Sequence, residues 1–580
     1  MNNYNFGYIN LNGKSKHKMA LSFFLASLGI FSGLQPAFAI TITVNTNANR
    51  KPISPYIYGM NYYSSTAKDE GMMKNIGLPV RRWGGNDTSR YNWEIDATNT
   101  GSDWFFENTD RSDSNNPPKI SAVNTMIDKN NSIKADTILT VPMIGFVAKD
   151  QKSCGFSVAK YGNQYKTDPD RQGCGNGIKK MVNNQPVYVK GNSPSDTSLK
   201  VDENFIKKWV AFLVKKYNKA NLGGVQFYNL DNQPDGWHLT HRDVFPVAIK
   251  YDELRDRAYR YAAAIKSADP SAKILGPTLT NWATYWNSPH DLQRRDLVTP
   301  DDRNNHKKIP LVPWYLQQMQ AYEKSKGKRI LDYLDLTYFP QCNYGQNCSL
   351  IPFPPDDPKK FTESAAIKAL RLRSTRSLWD PSYADESWVQ GIETSQKGII
   401  KLIPRMKAWV KDNYPGTKIA ISEYMWGALW DMNGALAQAD VLGIFGREGL
   451  DLATLWEPPQ KNEPGDFAFR MYRNYDGKGG KFGSTSVFSS STDQDKLAIY
   501  AAQEGTAGAL TLMVINKTSG TLSAPIKLKN FKPSGTIEMW RYGEANTKQI
   551  LHPSNSKFTG SQFSSSFPAN SITLLRIPKL

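Results

Sequence analysis

Tyr228-Asn229-Leu230-Asp231-Asn232-Gln233-Pro234 continues an apolar stretch that begins at Gly224 and stops at a proline. A short apolar run bounded by Gly and Pro reads as a strand buried on both faces, ending in a turn. The same pattern recurs outward from it, at residues 56–60, 78–83, 137–143, 224–230, 273–277, 334–339, 418–423 and 452–456. Between these lie helical patterns: Glu203–Tyr217, 252–267, 313–324, 399–412 and 434–447. Phe205, Trp209, Phe212 and Leu213 recur at helical spacing, which predicts a buried face. Eight strand–helix alternations predict an α/β chain forming a (β/α)8 TIM barrel rather than an open sheet.

Three inserts interrupt the alternation, at 99–119, 154–192 and 341–386. Each follows a strand end, where barrels build their clefts. From about residue 486 the pattern changes to alternating apolar and polar residues with Gly, Ser and Asn turns. That predicts a C-terminal antiparallel β-sandwich. The expected division is a leader over 1–39, a barrel over 55–485, and a sandwich made of 40–54 plus 486–580.

The leader reading rests on Lys14, Lys16 and Lys18, an uncharged apolar run over 19–34, and Ala37-Phe38-Ala39 as a small-residue cleavage pattern. The run is short for a membrane span. The expectation is export, to the extracellular space or the periplasm, with no membrane partner. Four cysteines suit an oxidising compartment. Cys154 with Cys174 and Cys342 with Cys348 each fall in one local loop, although four cysteines allow three pairings. The net charge of +19 falls to +16 once the three leader lysines are removed. That charge is scattered, with no nucleic-acid motif, so no nucleic-acid partner is expected. Neither a CxxC pair nor HExxH occurs, and His238 and His241 read as cleft or structural residues. No cofactor is called for, and a monomer is expected.

Residues at the C-terminal ends of barrel strands carry the chemistry of such folds. Glu423 ends the seventh strand, after an apolar run and before Tyr424 and Trp426. Gln233 ends the fourth. Strands four and seven lie across the barrel mouth from each other.

A family resemblance rests on Val80-Arg81-Arg82-Trp83-Gly84-Gly85-Asn86, Ser89-Arg90-Tyr91-Asn92-Trp93-Glu94 and Gly101-Ser102-Asp103-Trp104. Trp314-Tyr315-Leu316-Gln317-Gln318-Met319, Ser422-Glu423-Tyr424 and Met471-Tyr472-Arg473-Asn474-Tyr475-Asp476-Gly477 extend it. From about residue 45 to the C-terminus the chain resembles glycoside hydrolase family 44. That resemblance implies a secreted, retaining endo-β-1,4-glucanase or xyloglucanase acting on β-1,4-linked plant polysaccharide. It makes Glu423 the nucleophile and position 233 the acid/base. It also leaves a structural calcium open, with no ligands assignable.

The chain departs from the family pattern where it matters most. The family reads Asp-Asn-Glu-Pro; this chain reads Asp231-Asn232-Gln233-Pro234. An amide is isosteric with the acid but donates no proton to a leaving group and takes none from water. Thr337 stands where the resemblance leads to histidine. Two outcomes follow: a hydrolase impaired or rerouted by Gln233, or a protein that binds β-glucan without cutting it. Asp231 and Asp235 are the nearby carboxyls that would stand in for the missing acid.

Further site expectations follow from position. Arg82 holds Glu423 ionised. Asn232 bonds the sugar 2-hydroxyl, Tyr338 orients the nucleophile, and Trp456 floors the cleavage subsite. Trp83, Trp104, Trp237, Trp282 and Trp426 are stacking platforms.

Overall fold

The computed structural model describes residues 40–62, 70–112, 121–293, 301–343, 348–352, 355, 361–558 and 560–580. The leader lies outside the described residues. Eight parallel strands close into a barrel: β1 (Gly59–Asn61), β2 (Val80–Trp83), β3 (Asp136–Val141), β4 (Phe227–Leu230), β5 (Lys273–Leu279), β6 (Tyr333–Tyr338), β7 (Lys418–Tyr424) and β8 (Leu452–Leu455). The ring shuts where Thr454 and Leu455 of β8 pair with Gly59 and Met60 of β1. The first strand starts later than its sequence suggests. Residues Pro55–Tyr58 form a 3-10 turn, because Pro55 pre-sets the backbone and the Ser54 hydroxyl accepts from the Tyr56 N–H.

The barrel interior changes character along its axis. Val80, Ile138, Phe227, Leu275, Tyr333, Ala420 and Leu452 form an apolar layer at the strand starts, with Tyr56 packed against it. Side chains alternate faces along a strand, so two residues further on the inward positions are Arg82, Thr140, Asn229, Asp335, Ser422 and Thr454. The polar layer therefore sits above an apolar plug, towards the C-terminal mouth.

The helices bury the faces their periodicity marks. Glu203–Tyr217 is capped by Asp202, whose carboxylate accepts from the Asn204 N–H, and it buries Ile206, Trp209, Val210 and Leu213. Phe212 departs from expectation: it is 40% exposed and stacks on Trp93, 5.6 Å between ring centroids.

The C-terminal strands wrap a second core that includes Ile42, Val44, Ile499, Leu512, Val514, Ile526, Phe567 and Leu575. Thr485–Ser491 joins the two halves. Its first residues pair with Leu497–Gln503 and its last with Ile42–Asn45. Ile42–Asn45 also lies parallel to Leu522–Lys529, so the sheet is not wholly antiparallel.

Leu497–Gln503 is buried along its whole length. Leu497, Ile499 and Ala501 face the sandwich core, while Ala498, Tyr500 and Ala502 face the barrel. The helix Met432–Glu448 approaches this sheet closely through Gly443, where an added Cβ would lie 2.2 Å from the Tyr500 ring. Beside it, buried Lys517 pairs with Asp440 at 3.0 Å. Thr375 Oγ1 donates to the same carboxylate at 2.7 Å and the Tyr500 hydroxyl at 2.6 Å. Cys154–Cys174 and Cys342–Cys348 are both disulfide-bonded. Among the described residues no helix is long and apolar enough to cross a membrane.

Candidate active site

Arg82 spans the barrel mouth. Its Nη1 donates to Glu423 Oε2 at 2.7 Å, and its Nη2 donates to Asn232 Oδ1 at 2.8 Å. Nε reaches Asn229 Oδ1 at 3.1 Å, and Nη1 also approaches Asn61 Oδ1 at 3.3 Å. One guanidinium thus ties the end of β7 to the turn after β4. Gly84 leaves room for it: a Cβ there would sit 2.0 Å from Nη1. Arg81, on the opposite face of β2, pairs instead with Glu70 at 2.7 Å.

A bulge brings Glu423 inward. Between β6 and β7 the pairing runs from Asp335↔Ala420 to Thr337↔Glu423, one extra residue on β7. Ser422 and Glu423 therefore both reach interior partners despite being adjacent. Ser422 donates from its N–H and hydroxyl to Asp335, at 2.9 and 2.7 Å. Asn229 Nδ2 and Thr278 Oγ1 donate to the same carboxylate at 2.8 and 2.9 Å. Burial raises the Asp335 pKa, and Ser422, the charge of Arg82 and Asn229 oppose the rise. Burial also raises the pKa of Glu423, with Arg82 pulling it back down and Asp335 adding to the rise. Glu423 is 5% exposed, and Oε1 accepts no hydrogen bond from the described residues.

The turn after β4 is held from beneath. Asp231 accepts from Ser89, from the Asn232 N–H at 2.7 Å, and from the Met143 and Ile144 N–H groups. Asp231 and Gln233 both have positive φ, 66° and 47°, and Gln233 is left-handed. Aspartate tolerates that region, whereas for glutamine it stores strain of roughly 1–3 kcal/mol. Gln233 is 7% exposed, and its amide has no hydrogen-bond partner among the described residues. Asn232 Nδ2 donates to Asn86 Oδ1 at 3.2 Å, and Asn86 in turn donates to Asp103 at 3.1 Å.

Neither proposed substitute acid is free. Asp231 is buried and fully engaged, with its pKa pushed up to about 6 by burial. Asp235 does not reach the mouth as its place beyond the proline suggests. Its two oxygens accept from the Thr280 N–H and hydroxyl, both at 2.9 Å, and it is 4% exposed. Burial pushes the His238 pKa down to about 4, and burial with the charge of Arg90 holds that of His241 well below its usual value, so both are neutral near pH 7. Glu457 is a half-buried carboxyl whose pKa burial raises. It follows β8, across the barrel from β4, so it does not take the place of a donor at position 233.

Several aromatic expectations are corrected. Trp83, Trp237, Trp282 and Trp426 are buried in the core. Trp83 stacks on Tyr62, Trp237 packs on Phe245, and Trp426 donates to Ser374 Oγ at 3.0 Å. Trp282 packs between Tyr285 and Trp286. Each lies on or after a strand whose outer face the helices cover, and the hydrophobic effect places large rings there. Tyr338 does not orient Glu423. It is buried against Trp426, 5.6 Å between centroids. Trp104 and Trp456 keep part of their rings exposed. Trp104 Nε1 donates to Asp168 at 3.3 Å, and Trp456 packs edge-on to Phe339.

Thr337 is buried, and its hydroxyl donates to the Leu279 and Thr280 carbonyls at 3.2 and 3.1 Å. Asn61, Asn229, Thr278, Asp335, Ser422 and Asn86 escape the sequence reading. The available signal was a polar residue inside an apolar strand, as at Asn229 and Asp335. Among the described residues no three His, Cys, Asp or Glu side chains are grouped to hold a metal ion.

Residues 97–342 match the profile of glycoside hydrolase family 44. The crystal structure of CelM2, a bifunctional glucanase-xylanase from a metagenome library, is 40% identical. It has a TM-score of 0.83 and covers 93% of this chain and 99% of its own. A family 44 xyloglucanase from Paenibacillus polymyxa is 27% identical with a TM-score of 0.75, covering 94% of this chain and 100% of its own. β-Mannanase/endoglucanase A of Caldicellulosiruptor saccharolyticus is 32% identical over 494 residues, 80% of this chain. The chain spans 33% of that relative's length. The family match over 97–342, which spans β3–β6 of the barrel, and structural similarity over nearly the whole chain agree: the chain belongs to glycoside hydrolase family 44.

Proposed function

We propose that this is an exported protein that binds β-1,4-linked glucans such as xyloglucan in the barrel mouth, with a retaining glycosidase site that has lost its proton donor. Glu423 is the nucleophile, Arg82 keeps it ionised, and Asn232 meets the sugar 2-hydroxyl. Gln233 fills the acid/base position. The observation that supports this is Arg82, which hydrogen-bonds both Glu423 and Asn232, the residue next to position 233. The retaining reaction needs one carboxyl to attack the anomeric carbon and a second, about 5–5.5 Å away, to protonate the leaving oxygen and then deprotonate water. The Gln233 amide accepts or donates a hydrogen bond there but moves no proton.

Loss of that help lowers hydrolysis on the order of 10²–10⁴-fold. The engaged carboxylates of Asp231 and Asp235 support strong impairment over rescue by a neighbour. At the limit, the protein is a β-glucan binder. Reducing-end release from xyloglucan and carboxymethylcellulose, comparing wild type with Gln233→Glu, tests this. Activity confined to the glutamate variant supports it, and equal activity of the two proteins rejects it.

A further inference from the structure

We infer that the site turns over glycosides whose leaving group departs as a stable anion, and passes the sugar to small anionic nucleophiles instead of water. The inference rests on Glu423 being the nucleophile. Its basis is the asymmetry of the mouth. Glu423 is ion-paired through one oxygen, and among the described residues its other oxygen and the Gln233 amide have no hydrogen-bond partner. What is missing is therefore proton transfer, and not nucleophilic attack. A β-glucan alkoxide is too basic to leave unprotonated. A phenolate, carboxylate or thiolate is not.

In the first step a Glu423 carboxylate oxygen bonds to the anomeric carbon. The bond to the aglycone breaks, and its electron pair leaves with the aglycone anion. The product is a glycosyl ester of Glu423. Attack by water on that ester requires a base to take its proton, and Gln233 is none. An anion such as azide carries no proton to lose. Its lone pair bonds to the anomeric carbon, the ester C–O bond breaks, and the Glu423 carboxylate is regenerated. The sum is aryl glycoside plus azide giving glycosyl azide plus phenolate, with no proton moved in either step. Two inversions retain the β configuration. The Gln233 amide is well suited to such a mouth, since an acceptor anion approaching position 233 meets a neutral dipole and not a second carboxylate. The substrate class is then aryl, acyl or thio-β-glucosides of a cello-oligosaccharide, and the acceptors are carboxylates, thiolates or azide.

The test uses 2,4-dinitrophenyl β-cellobioside with and without sodium azide, following dinitrophenolate and identifying products by mass spectrometry and NMR. Binding of a xyloglucan oligosaccharide is measured separately by calorimetry. The expected result is a burst of dinitrophenolate equal to the protein, then slow release that azide accelerates on the order of 10²-fold, forming β-cellobiosyl azide. Glu423→Ala removes burst and azide response together. Gln233→Glu turns over without azide and loses most of the acceleration. Oligosaccharide binding with a burst but no azide effect overturns the inference while leaving the glucan-directed site intact. Absence of both binding and burst overturns the site reading itself.

Discussion

Two buried charge networks in this chain differ in how completely they are closed. Where the helix Met432–Glu448 meets the sandwich, both Asp440 oxygens are engaged, by Lys517, Thr375 and Tyr500. At the barrel mouth, Arg82 donates to Glu423, Asn229, Asn232 and Asn61, yet among the described residues one Glu423 oxygen and the Gln233 amide have no hydrogen-bond partner. A network that only holds structure pairs every buried charge, because an unpaired one costs several kcal/mol. A network that meets a ligand leaves valences open on the ligand's side. The mouth keeps that openness at both Glu423 and Gln233.

The sharpest way to break the comparison is at position 233. Gln233→Glu is expected to raise xyloglucan hydrolysis on the order of 10²–10⁴-fold, measured as reducing ends, with little change in oligosaccharide affinity. No gain would mean that the open side of the mouth is not the proton-donor side. The closed network is tested next. Lys517→Met leaves Asp440 buried and unpaired and is expected to cost about 3–5 kcal/mol in urea unfolding. The double variant with Asp440→Leu is expected to recover most of that loss. A single-variant cost below about 1 kcal/mol would show that this network is not carrying buried charge.

The tryptophans sharpen the division between core and cleft. Trp237→Ala is expected to lower stability by about 3–5 kcal/mol through the cavity it leaves. Trp104→Ala is expected to leave stability nearly unchanged and to weaken oligosaccharide binding by about 1 kcal/mol, read by calorimetry. The reverse pattern would move the cleft.

The smallest effect concerns Glu107, whose backbone N–H donates to the Trp104 carbonyl. Its pKa is pushed up to about 7, first by burial and then by hydrogen bonding with Asp168, against the pull of Arg171. The folded state therefore holds this proton more tightly than the unfolded state does. Its stabilising contribution is complete below about pH 4.5 and is lost as pH rises through 7. Glu107→Gln should flatten that part of the stability curve, visible as a smaller Tm difference between pH 5 and 7.5. An unchanged difference would assign the pH dependence to other groups.

Much of this was legible in the chain. The apolar runs at β3, β4 and β7 and the helix Glu203–Tyr217 follow from periodicity and punctuation, since both faces of a barrel strand are buried and the strand reads as nearly continuous apolar sequence. Glu423 and Gln233 were legible because each closes such a run. The tryptophans were not, because composition records that a ring is present and not which side of a strand it takes. Trp83 and Trp426 sit beside site residues in sequence yet point into the helix layer.

The sequence by itself determined the barrel and the residue types at its strand ends, an amide at position 233 among them, since each depends only on local pattern and chemistry. The tertiary structure alone decided which of those groups meet. The extra residue in β7 turns Ser422 and Glu423 towards the same interior, and closure of β8 on β1 brings Arg82 within reach of groups 150 and 341 positions away in the chain. It also decided that Asp235 is spent on Thr280, because the reach of a side chain is set by the packing of distant strands and not by its neighbours in sequence.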